Sequence, residues 1–290
     1  MTFPIVAPQR LDRQHHRPRT TRALLLSSEL DHHRRRRGHT TRTLATAMHM
    51  SAAMLNRVMT GRRVPTALEI GGLCALLDIP AHRRPILYTL AREAEHTQWT
   101  EHHPPWDLTR FTLLHALHNL AARITTHSHT TIPHALRTPA YHHALLTAHP
   151  AIPTATIPAL MDDLTNHAAA ATAVHHVHAH ALNHPAIPPP TMRAQLRHLL
   201  ASDTVRLIPP GTPPQVPCPF QAIHPPHAHP VVFLDLDLTT VILEQDAATP
   251  YLELSDHIRT TSLNSADTRD LIRAHLTATG HSDQPTDPVP

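Results

Sequence analysis

Residues 40–63, TTRTLATAMHMSAAMLNRVMTGRR, decide the fold that we predict for this chain. Apolar residues recur at helical spacing on both sides of the dipeptide His49-Met50, namely Leu44, Ala45 and Met48 before it and Leu55 and Val58 after it. The hydroxyls of Thr40 and Ser51 can each accept a backbone N–H that the start of a helix leaves unpaired. The pattern predicts two short helices joined by a tight turn, which is a helix-turn-helix.

The outer side of the second helix is the candidate site. Helical spacing leaves Ala52, Ala53, Asn56 and Arg57 outside the apolar face. A helix of this width fits the major groove of DNA. We expect Arg57 to read a base edge, most often guanine, and the two alanines to lie against thymine methyl groups.

The segment resembles the DNA-binding domain of Xre-type regulators, the lambda-repressor and Cro class. The resemblance is carried by Gly38, Thr40, Leu44-Ala45, Ser51, Gly61, Arg62-Arg63 and Pro65. It implies a five-helix domain whose contacts with the DNA backbone come from Arg34, Thr41, Ser51, Arg62 and Arg63. For residues 34–37, the alternative interpretation is a plain exposed charge cluster.

Several residues depart from the family pattern. A hydrophobe, a glutamine, a glycine and an acidic residue are replaced by His39, Thr41, His49 and Met59, and His33 and Arg36 fall where the family buries apolar side chains. A left-handed residue other than glycine costs about 1 to 2 kcal/mol. A buried ionisable group without a partner costs several kcal/mol. These departures motivate a second hypothesis, a degraded paralogue that acts only as a protein-interaction scaffold.

The charge of the chain is divided unequally. Its 290 residues carry a net charge of +3, but residues 1–100 hold 16 Arg against 7 acidic residues, whereas residues 101–290 hold 9 Arg against 15. A basic first third joined to an acidic remainder is typical of a nucleic-acid-binding module followed by a domain that does not bind DNA. The length also favours two domains.

The predicted architecture is mainly α with a smaller β region: an N-terminal five-helix, lambda-repressor-like domain and a C-terminal α+β domain. In chain order we predict a disordered basic arm at 1–21, the DNA-binding domain at 22–101, a linker at 102–106, the α+β domain at 107–280 and a disordered tail at 281–290. The arm either follows a DNA groove or is solvated. The fourth helix opens at the capping box Thr66-Glu69, and the fifth runs from about residue 81 to 97.

The C-terminal domain carries a second resemblance. Residues 124–146 resemble the signature of a domain of unknown function that follows Xre-type modules in actinobacterial regulators. The matching residues are Ile132, Pro133, Leu136, Thr138, Pro139, Tyr141, Ala144, Leu145 and Leu146, with His134 and Arg137 in place of Gly and Gln. The resemblance implies control by a small partner protein encoded nearby. The residues themselves predict helices first, including one at 108–125, then hairpin-connected strands at 204–208, 220–223, 231–235 and 240–243, and two closing helices.

One stretch resembles an enzyme site. VVFLDLDLTT at 231–240 resembles the nucleophile loop of haloacid-dehalogenase-type phosphatases, with Asp235 as nucleophile and Asp237 as acid/base. Only 50 residues follow it, no lysine is present, and alternating Leu and Asp also fits a half-exposed strand. We therefore predict that the protein is not an enzyme, and keep the phosphatase as the less favoured alternative.

The spacing of the histidines and cysteines does not predict a metal or cofactor site. His175, His176, His178 and His180 include a half-site for zinc, but the chain has 31 His, and no cysteine or carboxylate lies nearby to complete a ligand set. The two cysteines, Cys74 and Cys218, are far apart. We predict no metal.

The chain shows neither a signal-peptide core nor an apolar run long enough to span a membrane. These features predict a soluble cytoplasmic, nucleoid-associated protein. We expect a sequence-specific transcriptional regulator that binds double-stranded DNA as a homodimer, because one such helix reads only a few base pairs. Its C-terminal domain would bind an effector or a small partner protein.

Overall fold

A computed structural model describes residues 20–165, 172–212, 218–226 and 228–281. The N-terminal bundle consists of α1 Thr21–Arg36, α2 Thr41–Ala47, α3 Ala52–Met59, α4 Ala67–Leu76 and α5 Arg84–Arg92. The predicted arm lies outside the described residues except for Thr20 and Thr21, which cap and begin α1. The predicted tail lies outside them except for His281. The predicted capping box of α4 is confirmed, because the side chains of Thr66 and Glu69 each bond the other's backbone N–H.

The rest of the described chain forms a mixed sheet with helices. Its strands are β1 Gln98–His102, β2 Arg123–Ser128, β3 Ala173–His178, β4 Val205–Ile208, β5 Phe220–His224, β6 Val231–Asp235 and β7 Thr239–Glu244. Its helices are α6 Thr109–Leu120, α7 Pro139–Ala148, α8 Ile157–Thr165, α9 Pro189–Leu200, α10 Thr249–Thr261 and α11 Ser265–His281. The strand order is β1-β7-β6-β5-β2-β3-β4. The predicted fold class, an N-terminal helical domain followed by an α+β domain, is confirmed.

Part of the predicted strand pattern is wrong. The helix predicted at 108–125 ends at Leu120, and β2 begins three residues later. β5, β6 and β7 form the predicted antiparallel hairpins, but β4 pairs in parallel with β3 at the far edge. β2 and β3 are also parallel. Parallel strands are buried on both faces and therefore lack the alternation of polar and apolar residues by which strands are recognised.

The chain enters the sheet before it reaches the predicted linker at 102–106. α5 ends at Arg92, and the chain then enters β1, which pairs antiparallel with β7 so that Trp99 lies opposite Ile242 and His102 opposite Thr239. The buried His103 ring places Nε2 2.9 Å from Thr240 Oγ1. The free edge of β7 offers a ladder of backbone hydrogen bonds, and this pairing extends the sheet through residues 98–102, most of which we had assigned to the N-terminal domain.

The helical bundle and the sheet share one hydrophobic core. Leu30, Leu44 and Leu55 of the bundle belong to the same buried cluster as Phe233 and Ile242 of the sheet. At the same junction the Arg22 guanidinium lies 4.4 Å above the Trp99 ring, and the Thr21 N–H donates to Glu244 Oε2 at 2.6 Å. The helical bundle is therefore packed on the sheet. It is not tethered to it.

Candidate nucleic-acid interface and ligand cavity

The turn between α2 and α3 has the predicted caps. Thr40 Oγ1 accepts the Thr43 N–H at 3.0 Å, and Ser51 Oγ accepts the Met54 N–H at 3.1 Å. His49 lies in the turn with a φ of 52°, which is the left-handed conformation predicted for the position where the family has glycine. The two helices are thus fixed locally by hydroxyl caps and one strained residue.

Replacing His49 with glycine is expected to stabilise the protein by about 1 kcal/mol, because glycine adopts positive φ without the steric cost that a side chain incurs. Denaturant unfolding of the full chain measures this change. His82→Gly is the matched control, since His82 is also exposed but its φ is not positive. If His49→Gly is no more stable than the wild-type chain, the positive φ of His49 does not strain the turn.

α3 presents the predicted outer face. Leu55 and Val58 are buried, whereas Ala52, Ala53, Asn56, Arg57 and the cap Ser51 are exposed. After α3 the chain turns at Gly61, whose φ is 67° and whose missing Cβ would lie 3.2 Å from the Ala23 carbonyl oxygen of α1. The helix is therefore held close to α1 from behind, and its outer side is open to solvent.

Two of the arginines that we predicted to contact the DNA backbone bond to residues of the protein itself. The Arg34 guanidinium bonds Asp31 Oδ1 at 2.8 Å and donates to the His39 carbonyl at 2.5 Å, which ties the end of α1 to the start of α2. Arg63 donates to Glu69 Oε1 at 2.9 Å. Burial acts to raise the pKa of Glu69, but the bonds from Arg63 and from Thr66 outweigh it and hold that pKa below its ordinary value.

The sequence around α3 is basic. Arg62 is exposed, Thr41 is half-buried at the first position of α2, and the next residue, Arg42, is exposed although our sequence analysis did not select it. Eight arginines and no acidic residue lie between Asp31 and Glu69. That run of sequence was the signal that could have identified Arg42.

The departures from the family pattern are accommodated. Burial lowers the pKa of His33, with partial compensation from Glu29, whose Oε1 lies 3.7 Å from His33 Nε2. The imidazole can therefore be buried in its neutral form. Arg36 is exposed, so our expectation that it falls at a core position is wrong. The inward stripe of α1 passes through Leu26, Leu30 and His33, and leaves Arg36 on the solvent side.

A cavity of about 780 Å³ lies in the C-terminal domain, within the range of small-molecule sites. Its apolar wall includes Phe111 and Leu114 of α6, and its polar groups include Thr126, Ser128 and Gln221 of the sheet. Gln221 Oε1 is 2.7 Å from His118 Nε2, and burial lowers the pKa of that histidine. The site combines an apolar wall with a few converging polar groups.

The signature segment builds one wall of this cavity. The Tyr141 hydroxyl accepts the Ile132 N–H at 3.1 Å, and Gln195 of α9 accepts the Thr138 N–H and donates to the Leu136 carbonyl, both at 2.7 Å. These bonds fix the loop before α7. Arg137, the residue that replaces the family glutamine, donates to the Ile132 carbonyl at 2.8 Å and so reinforces the same loop.

Asp235 and Asp237 line the cavity but lie in a hairpin. β6 is antiparallel to both of its neighbours, and the chain reverses directly into β7, with Asp237 at a φ of 65°. The Asp237 N–H donates to Asp235 Oδ1 at 3.2 Å. The alternating Leu and Asp at 234–238 do not form the half-exposed strand that we considered, because β6 ends at Asp235 and residues 236–238 connect it to β7.

The predicted histidine cluster is divided between different surroundings. His175 faces the cavity, whereas His176 stacks on His127 of β2 at 5.1 Å. Burial lowers the pKa of His127 to about 3, and the neighbouring His176 lowers it further. Burial also lowers the pKa of His176 to about 4, and the charge of Arg206 acts in the same direction. These two rings are neutral core residues. His178 and His180 instead lie beside His129, which our sequence analysis did not select.

Comparison with known proteins agrees with this geometry. A family model described as a helix-turn-helix domain matches residues 25–87, and one described as a domain of unknown function, DUF5753, matches residues 111–274. No curated protein and no solved structure matches the chain significantly. Among the described helices, none combines the length and apolar character needed to cross a lipid bilayer.

The fold, the exposed face of α3 and the first match define the class of the protein: it carries a helix-turn-helix domain of the DNA-binding type. The second match covers more than half of the 290 residues. The chain therefore belongs to the family defined by the DUF5753 domain.

Proposed function

We propose that this protein is a sequence-specific transcriptional regulator that binds double-stranded DNA, of the Xre type and of the actinobacterial group, acting in the cytoplasm at the nucleoid. The observation that supports it most directly is the outer face of α3, where Ala52, Ala53, Asn56 and Arg57 are exposed within a run of sequence that lacks acidic residues. Such a helix can enter the major groove, where base edges are distinguishable.

The residues of this face have different roles in the proposal. Arg57 reads a base edge and the alanines approach thymine methyl groups, while Ser51, Thr41, Arg42 and Arg62 hold the phosphate backbone. Arg34 and Arg63 act indirectly, because their bonds to Asp31 and Glu69 position the helices on either side. Binding is expected to be strongly salt-dependent.

A homodimer is part of the proposal. One recognition helix reads too few base pairs for a unique operator, and a two-fold dimer reads two half-sites about one helical turn apart. The bundle exposes apolar side chains that suit contact with a second copy: Leu68 of α4 is 87% exposed and Ile86 of α5 is 54% exposed.

The cavity supports a regulatory role for the C-terminal domain. We infer that it binds a small effector, with a small partner protein as the alternative source of control. The hairpin geometry of Asp235 and Asp237 favours binding over phosphoryl transfer, and we propose that the protein is not an enzyme. Hydrolysis of a generic aryl phosphate in the presence of magnesium would overturn that part of the proposal.

The reading role of Arg57 can be tested with the full chain and two duplexes, one selected from a random library by the protein itself and one scrambled. Arg57→Ala is expected to lose about 1 to 3 kcal/mol of discrimination between the two, because one base contact is removed. Arg62→Ala is expected to weaken binding to both duplexes equally and to reduce the slope of log K against log salt by about 1. Fluorescence anisotropy over a salt series measures both effects.

Arg197→Ala is the matched control, since Arg197 is exposed on α9, outside the bundle. Equal losses of Arg57→Ala on both duplexes would refute a reading role. If the full chain selects no sequence at all, the degraded scaffold becomes the better account.

A further inference from the structure

Three histidines lie together at the carboxyl ends of two neighbouring strands. β2 and β3 are parallel neighbours, so their carboxyl ends lie together. His129 follows the end of β2, His178 ends β3, and His180 is in the 3-10 helix that comes next. Their ring centroids are 4.6 Å apart for His129 and His178, 5.4 Å for His129 and His180, and 4.4 Å for His178 and His180.

The hydrogen bonds of His178 define its tautomer. Its Nε2 lies 3.0 Å from the Thr212 carbonyl oxygen, which can only accept, so Nε2 carries the proton. Its Nδ1 accepts the His180 backbone N–H at 3.2 Å, so the lone pair of the ring is on Nδ1, and a metal ion at this atom would replace that hydrogen bond. Metal-bound histidines commonly donate their second N–H to a backbone carbonyl in this way, because that bond orients the ring.

His129 supplies an independent observation. Its Nε2 is buried and has no hydrogen-bond partner in the part of the chain that the structure describes. A buried polar nitrogen without a partner is costly to the fold, and a ligand at that atom removes the cost. His180 is exposed, so solvent reaches the cluster from one side.

We propose that His129, His178 and His180 bind one divalent transition-metal ion, with zinc the best fit and water in the fourth position. One ring nitrogen from each histidine lies within 4.8 Å of the others. Three nitrogens around zinc at about 2.0 to 2.1 Å are roughly 3.4 Å apart, so small ring rotations close the site. Imidazole ligands suit zinc, copper, nickel and iron, whereas magnesium and calcium require oxygen ligands. This assignment goes beyond the DNA-binding function and does not depend on it.

Metal binding by the untagged full chain tests the proposal. We expect one equivalent of Zn²⁺ to bind in competition with a chromophoric chelator, and Co²⁺ to give the visible absorption of a tetrahedral nitrogen site. His129→Ala and, separately, His180→Ala are expected to weaken Zn²⁺ binding at least tenfold and to abolish the Co²⁺ bands. Because His180 is exposed, its variant remains informative even if the His129 variant fails to fold.

The double variant His198→Ala, His257→Ala is the control for non-specific binding by a histidine-rich chain, since both residues are exposed and lie on α9 and α10. It is expected to bind like the wild-type chain. The proposal is overturned if the wild-type chain binds no stoichiometric Zn²⁺, or if the His180 variant and the control lose the same amount of binding.

Discussion

Phe233→Ala is expected to destabilise the protein by about 3 to 5 kcal/mol and to loosen the DNA-binding helices together with the sheet. Phe233 is 2% exposed on β6, yet it belongs to the same buried cluster as Leu44 of α2 and Leu55 of α3. Truncating it leaves a void between the two units. Native-state hydrogen exchange of the full chain should show lower protection of the α2 to α4 amides, alongside a lower denaturant midpoint.

Phe220→Ala is the matched control for this variant. Phe220 is 1% exposed on β5, but it packs in a different cluster, with Val232, Leu234 and Ile258 of α10. Its loss is expected to destabilise the C-terminal domain while leaving the amides of α2 to α4 better protected than Phe233→Ala does. Unchanged protection of the bundle in Phe233→Ala would show that the two units fold independently.

A second large effect is expected from Glu244, which makes stability fall as pH rises from about 5 to 8. Burial raises the pKa of Glu244 to about 7 from an ordinary value of 4.5, although the bond from Thr21 and the charge of Arg22 act in the opposite direction. The folded state therefore keeps a proton that the unfolded chain has released in this window. Protonated Glu244 contributes about 3 kcal/mol to the free energy of unfolding. This contribution is full below pH 4.5 and is lost above pH 7.

The measurement compares wild type and Glu244→Gln by denaturant unfolding at several pH values. The difference in their free energies of unfolding, wild type minus variant, should decrease by about 2.5 kcal/mol between pH 5 and pH 8. Glu253→Gln, on the exposed side of α10, is the control and should leave the pH dependence unchanged. A constant difference between wild type and Glu244→Gln would contradict a protonated Glu244.

The DNA-binding helices could be predicted because their signals are local. A cap such as Thr40 bonds a residue three positions away, and the residues that face the core of α3 recur within one or two turns. Each signal is complete within a short window of sequence. The same locality explains why the outer face of α3 was predicted residue by residue.

The elements that were missed depend on partners far along the chain. Trp99 pairs with Ile242 and Ile124 with Ile223, and no property of residues 98–102 or 123–128 names those partners. Strand propensity is set largely by neighbours in the sheet. The bonds of Arg34 and Arg63, and the approach of His129 to His178, were missed for the same reason: each became visible only when the helices and strands were placed.

The pairing of β1 with β7 affects whether the helix-turn-helix domain can fold when it is separated from the C-terminal domain. A fragment truncated at residue 101 would keep most of β1 without its partner strand and would lack Phe233 and Ile242 of the core that the bundle shares with the sheet. Chimaeras that exchange helix-turn-helix domains between relatives would therefore need matching sheet surfaces. We expect the two domains to evolve together.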